Sequence, residues 1–241
     1  MDINLLSDHQ MCGNINTVYY AHVTGLGNGY IKLDNEENYG YPRFTPFEVG
    51  AYRVSEILGF HNVPNTVALE HPTFGPCVFS AEVAGEPLAL RADWGSGWFA
   101  MPYTLGDMQK MACLDIIIGN TDRHGNNYRT AEDGSPMGID HGLCFGARRS
   151  GDSRFVRSLI HHGHTVVQPW LMSLLGKADL DKIETELLTL GVCHEQIDLL
   201  AQRLIGLYTK GTIGWGEYGL VRGFMATPTE SSTYMGSDSS Y

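Results

Sequence analysis

The sequence is poor in positive charge. Its 241 residues hold 16 Lys and Arg against 27 Asp and Glu, a formal net charge of −11. A body this acidic repels polyanions, so nucleic acid and anionic membrane surfaces are not expected as partners. No apolar run approaches the roughly 18 residues of a membrane-spanning helix, which excludes integral membrane association. The start, Met1-Asp2-Ile3-Asn4, has neither the basic residues nor the apolar stretch of a signal peptide. The five cysteines, Cys12, Cys77, Cys113, Cys144 and Cys193, form no CxxC pair. That spacing argues against a thiolate zinc site and a disulfide framework, and a reducing, cytoplasmic location is the expectation. No internal repeat is present. Charged residues make up 18% and hydrophobic residues 43%, as in a globular chain rather than a disordered one. The length suits one large domain or two lobes sharing a cleft.

Residues 1–90 read mainly as strands and turns. Thr17–Thr24 is rich in β-branched and aromatic residues, Gly25–Gly29 is a glycine-rich turn, and Tyr30–Leu33 continues as a strand, so a hairpin is predicted. Thr45-Pro46-Phe47-Glu48 reads as a capping box with Pro at the first helical position. Phe47, Ala51, Val54 and Leu58 then form one helical stripe that Gly59 can end. Short β-rich runs follow at Thr66–Leu69 and Cys77–Ser80. In the second half, Asp107 is expected to cap a helix running to Gly119. A hairpin is expected over 127–140 around Asp133-Gly134, and helices near 168–175, 179–190 and 195–209, the last capped by His194 or a neighbour and stopped near Gly211. The tail from Ala226 is rich in Ser and Thr without apolar periodicity and reads as disordered. The fold class is α+β: a β-rich lobe over 1–80, a mainly helical lobe over 81–225, and the tail 226–241.

The chemistry concentrates in Gly119-Asn120-Thr121-Asp122-Arg123-His124-Gly125-Asn126-Asn127 and Gly138-Ile139-Asp140-His141-Gly142. Phosphoryl transfer needs a carboxylate to position the attacking hydroxyl, a second carboxylate and an amide oxygen to hold Mg²⁺, and a Lys to neutralise phosphate charge. Asp122 fits the first role and Asp140 the second. Asn127 follows Asp122 by five residues, the spacing of the protein-kinase catalytic loop.

These motifs resemble those of the phosphatidylinositol 3-/4-kinase catalytic family, together with its small bacterial and phage relatives and HipA-type kinases. The stretch Phe47–Gly59 and the following Val63–Val67 are similar to the N-lobe helix region of small members, and the resemblance spans about residues 13–210. It implies a bilobal protein-kinase-like fold and an ATP- and Mg²⁺-dependent kinase. It also implies the roles of single residues: Asp122 catalytic, Asn127 and Asp140 as metal ligands, Lys32 on the ATP phosphates and Glu48 as the partner of Lys32. The phosphate-covering loop would include Asn14 and Ile15, and adenine would sit near 80–83. Residues 1–90 contain no GxGxxG, a departure from the protein-kinase pattern. The acceptor is expected to be a protein Ser or Thr, with a phosphoinositide or other small alcohol as the alternative.

Several residues keep a plainer alternative. Glu48 completes the capping box whether or not it meets Lys32, with Glu56 as a second candidate partner. Lys32 can be a solvated edge-strand residue. His124 and His141 can brace the loop or, with Asp122 and Asp140, ligate a transition metal for hydrolysis. His161-His162-Gly163-His164 reads as a solvated loop cluster. Arg148, Arg149, Arg154 and Arg157 read either as a solvated loop or as a lure for an anionic substrate. A non-catalytic pseudokinase that only binds nucleotide is the remaining alternative.

Overall fold

The computed structural model describes residues 2–6, 11–12, 17–34, 44–85, 101–146 and 153–214, with only the backbone of 11–12. Asn14, Ile15, Arg148, Arg149 and the tail lie outside the described residues.

The β-rich part is one six-stranded antiparallel sheet. It contains β1 (Ile3–Leu5), β2 (Met11–Cys12), β3 (Thr17–Val23), β4 (Gly27–Leu33), β5 (Thr66–His71) and β6 (Gly75–Ala81), in the order β1-β3-β4-β6-β5 with β2 also on β3. The predicted hairpin is β3–β4, with a turn of only three residues, because the strand already begins at Gly27. Side chains alternate across each strand. One face buries Ala21, Val23, Ile31, Leu33, Cys77 and Phe79 in a small core. Lys32 points to the other face, paired in register with Val18 on β3 and Val78 on β6. It therefore sits on an interior strand, not an edge.

Helix α1 (Thr45–Ile57) starts differently from the sequence expectation. Phe44 is its N-cap, and Thr45 makes no capping hydrogen bond. The cap comes from elsewhere: the Asp34 carboxylate, just past β4, accepts from the Phe44 and Thr45 amides at 3.3 Å each. A carboxylate there also complements the positive end of the helix dipole. Glu48 is thereby released from capping.

The larger core belongs to the helices α2 (Leu105–Ile118), α3 (Arg154–His161), α4 (Pro169–Leu175), α5 (Leu180–Thr189) and α6 (His194–Lys210). The short hairpin β7 (Tyr128–Thr130)–β8 (Pro136–Gly138) leads from one half of the motif to the other. Helix α2 is buried on all sides from Met111 to Ile118, with Asp115 the one charged residue of that stretch, and runs through the centre. Its N-cap is Thr104, which accepts from the amide of Asp107, so Asp107 sits inside the first turn rather than at the cap. Gly119 and Gly211 end α2 and α6 in the left-handed conformation, where only glycine is free of Cβ strain. Helix α6 is capped by Cys193, next to His194.

Helix α1 buries Ala51, Val54 and Leu58 in this larger core rather than in that of the sheet. A Cβ on Gly50 would lie 2.9 Å from Leu187 and 3.2 Å from the Phe145 ring, so the helix is seated tightly. Helix α3 was not anticipated. Its Arg and His residues read as loop, yet Ser153 caps it and Phe155, Val156, Ser158 and Leu159 form a buried face. Arg154 and Arg157 are therefore helical, and His161 ends the same helix.

Candidate active site

Strand β4, helix α1 and the segment after β8 converge on one ammonium group. Lys32 Nζ lies 2.6 Å from Glu48 Oε1 and 2.9 Å from Asp140 Oδ1. Glu48 is thus the partner of Lys32, whereas Glu56 bonds to His61 instead. The second oxygen of Glu48 accepts from the His141 backbone amide at 2.9 Å. Burial alone would raise the Glu48 carboxyl, but the Lys32 ammonium and the His141 donors outweigh it and hold the group well below its ordinary range. Burial alone would lower Lys32, but the Glu48 and Asp140 carboxylates outweigh it and hold the ammonium charged far above neutral pH.

The other half of the site is the loop after α2. Asn127 Nδ2 donates to the Asp122 carbonyl at 2.7 Å and to Asp122 Oδ2 at 3.1 Å. This fixes the two side chains together and turns the Asn127 amide oxygen away from Asp122. The Asp122 amide is held by Asn120 Oδ1 at 2.9 Å. His124 Nε2 stands 3.7 Å from Asp122 Oδ1 and its Nδ1 accepts from the Asn126 amide, so it braces the loop. The side chains of Asp122 and Asp140 are 41% and 48% exposed, open to a ligand. Asp140 adopts φ 59°, a left-handed conformation that Asp tolerates better than most residues.

Beneath these groups runs a buried network that the sequence reading missed. Arg123 is fully buried and reaches four groups. Its Nε and Nη2 contact Asp115 at 3.0–3.3 Å. Its Nη1 donates to the carbonyls of Asn127 and Ile139. Nη2 also lies 2.8 Å from His141 Nε2. A guanidinium can only donate, so His141 Nε2 accepts and the ring proton belongs on Nδ1, facing Glu48 Oε2 at 3.7 Å. Burial and then the Arg123 charge push the His141 pKa below its ordinary value, in keeping with a neutral ring. Asp115 takes further donors from Asn120 Nδ2 (3.1 Å) and Ser153 Oγ (2.7 Å). One Arg thus ties together α2, the Asp122 loop, the end of the β7–β8 hairpin and, through His141 and Glu48, helix α1. The available signal was Asp115 itself, an acid within the apolar run Met111–Ile118, which cannot be buried without a partner.

Asp122, Asp140 and Asn127 offer oxygen donors, as a hard divalent cation requires, and Asp140 already binds a cation in the form of Lys32. Among the described residues, no group of three or more His, Cys, Asp or Glu side chains is placed to hold a metal ion. His141, one member of the transition-metal alternative, spends Nε2 on Arg123 and turns Nδ1 to Glu48.

Residues 96–154 match the family model of phosphatidylinositol 3- and 4-kinase. This segment carries Asp115, Asp122, Arg123, Asn127, Asp140 and His141. The fold is similar to that of CtkA, a proinflammatory kinase of Helicobacter pylori. The TM-score is 0.50 at 13% identity, covering 87% of this chain and 93% of that one, a likeness of fold alone. Protein Rv2133c of Mycobacterium tuberculosis is 30% identical over a 125-residue alignment that covers 40% of this chain. The alignment covers 45% of the relative, so the chain spans less than half the length of that protein. With its Asp122–Asn127 loop and Asp140 set in a bilobal α+β fold, the chain resembles the phosphotransferases of the phosphatidylinositol 3- and 4-kinase type, including small bacterial kinases.

Proposed function

We propose that the protein is an ATP- and Mg²⁺-dependent kinase that transfers the γ-phosphate to a hydroxyl group, with a protein Ser or Thr as the first choice of acceptor. The observation that carries this is the triad Lys32–Glu48–Asp140, in which a buried carboxylate holds a lysine against a second, exposed carboxylate. Bound Mg²⁺ would offset phosphate charge and polarise the transferring group. Lys32, steadied by Glu48, binds phosphate oxygens. Asp140 and the amide oxygen of Asn127 supply ligands to the metal. Asp122, fixed by Asn127 and Asn120, orients the acceptor hydroxyl and takes its proton. Residues 1–80 form the phosphate-binding lobe, with Asn14 and Ile15 in its covering loop, and 81–225 the catalytic lobe. Positioning and charge neutralisation supply most of the rate gain.

The net charge of −11 favours a protein hydroxyl over a headgroup embedded in an anionic membrane. No described helix is long and apolar enough to cross a membrane. The decisive experiment is transfer of labelled γ-phosphate from ATP in Mg²⁺ to a generic protein acceptor and to phosphoinositide. It compares wild type with Asp122→Ala and Asp140→Ala. Label that appears with the wild type and vanishes in both variants is expected. ATP binding without transfer would point to a pseudokinase, and absence of ATP binding would sink the kinase reading.

A further inference from the structure

The two contacts of Lys32 are unequal. Glu48 is an anchored partner. Its side chain is 6% exposed, its other oxygen is held by the His141 amide, and its helix is locked by Ala51, Val54 and Leu58 in the larger core. Asp140 is a partner that can be exchanged: its side chain is 48% exposed and stands at the mouth of the site. Yet Asp140 is also the carboxylate that the kinase reading assigns to the metal. A metal on this carboxylate and an ammonium 2.9 Å from Oδ1 would be like charges only a few ångströms apart. Lys32 must therefore give up Asp140 when the metal arrives. Without a nucleotide, Glu48 is the partner among the described residues that it has to fall back on. With one, phosphate oxygens take the ammonium as it leaves.

We propose that Lys32 acts as an internal competitor for the metal at Asp140, so that the nucleotide-free site resists divalent cations and the phosphates raise their affinity by drawing Lys32 away. This rests on the kinase reading above and adds an order to it. Metal alone loads poorly, and metal and phosphate bind cooperatively. By linkage the metal tightens phosphate binding by the same factor. In this scheme Glu48 stays in place, held by the packing of its helix in the larger core and by the His141 amide. The exchange is therefore confined to one side chain.

The test uses Mn²⁺ as the probe, with no nucleotide, and reads free Mn²⁺ by electron paramagnetic resonance. Lys32→Met/Glu48→Gln removes the ammonium without leaving a buried carboxylate unpaired, and Lys32→Gln serves should the double variant fail to fold. We expect either variant to bind Mn²⁺ roughly five- to tenfold more tightly than wild type, the scale of one charge pair removed from competition. Adding Asp140→Asn should abolish the gain. Glu48→Gln alone, which leaves Lys32 on Asp140, should show none. If Mn²⁺ binds the Lys32 variants no better while Asp140→Asn weakens it in every background, the metal site stands and the competition is wrong. If Asp140→Asn changes Mn²⁺ binding in no background, the metal site itself is misassigned and the proposal falls with it.

Discussion

The rim of the site and the network beneath it use the same residue types in opposite surroundings. On the rim, Asp122, Asp140 and His124 are 41–52% exposed and make few bonds. Below, Asp115 and Arg123 are fully buried, and His141 and Glu48 nearly so, each joined to several partners. Water screens the rim, so its charges are inexpensive to keep unpaired and stay available to a ligand. The interior offers no such screening, so every charge there must be answered by another. The rim should therefore carry activity with little stability, and the network stability with activity only through geometry.

That contrast can be broken from either side. The largest effect is expected on the rim. Asp122→Asn should lower phosphate transfer by about 10²–10⁴-fold, the worth of a positioned acid–base group, with a melting temperature close to wild type. A matching drop in stability would show that Asp122 is structural. In the network, Arg123→Met leaves the Asp115 carboxylate buried without its counter-charge, held by Asn120 and Ser153. It should destabilise by about 3–5 kcal/mol in urea unfolding. Adding Asp115→Leu should recover part of that loss, because the orphaned charge is then gone. A double variant no better than the single would mean that Arg123 acts through the Asn127 and Ile139 carbonyls and His141 rather than through Asp115.

A third prediction tests how firmly α1 is seated. Gly50→Ala pushes a methyl against Leu187 and Phe145 and should cost about 1–3 kcal/mol of stability. Because Glu48 lies on the same helix, weaker ATP binding should accompany it. Unchanged ATP binding would show that Glu48 tolerates a shift of its helix.

The smallest effect is the pH dependence of stability. The folded pKa of His141 lies below its ordinary 6.5, so its contribution is complete above pH 6.5 and is lost as pH falls below that value. Glu48, also lowered, contributes fully above 4.5 and loses its share as pH falls further. Lys32 is raised, so its contribution is complete below 10.5 and disappears as pH climbs through its higher folded value. Urea unfolding should show a plateau from about pH 6.5 to about 9, above which the buried thiols of Cys77, Cys113 and Cys144, raised by burial, begin to erode stability before Lys32 does. His141→Gln should remove the first decline on the acid side, and an unchanged decline would place it on another group.

The rim was legible in the sequence because its chemistry is local. Asp122, Asn127 and Asp140 lie within one loop and one hairpin, where spacing and residue type already suggest phosphate and metal. Lys32 and Glu48 were reachable only through resemblance, and Glu48 had a plausible local explanation as a capping residue. The structure removes that explanation because Asp34, from the far side of residues 35–43, performs the capping. Helix α3 escaped for a similar reason. Its Arg and His residues suggest a loop, and its buried face of Phe155, Val156, Ser158 and Leu159 has meaning only once α2 is beside it.

Composition and pattern alone determined an acidic α+β chain, the alternation that forms the β3–β4 hairpin, the glycine stops of α2 and α6, and the loop on which Asp122 and Asn127 ride. All of these depend on residues within a few positions of one another, where backbone preference and hydrophobic period act directly. Only the tertiary structure decided which carboxylate Lys32 would face, that Arg123 and Asp115 would share a buried charge, and that α1 would join the core of the helices. Those outcomes depend on desolvation and packing between segments as many as 108 residues apart, the separation of Lys32 from Asp140. The cost of a buried charge or the fit of a helix face has no value until both surfaces are present.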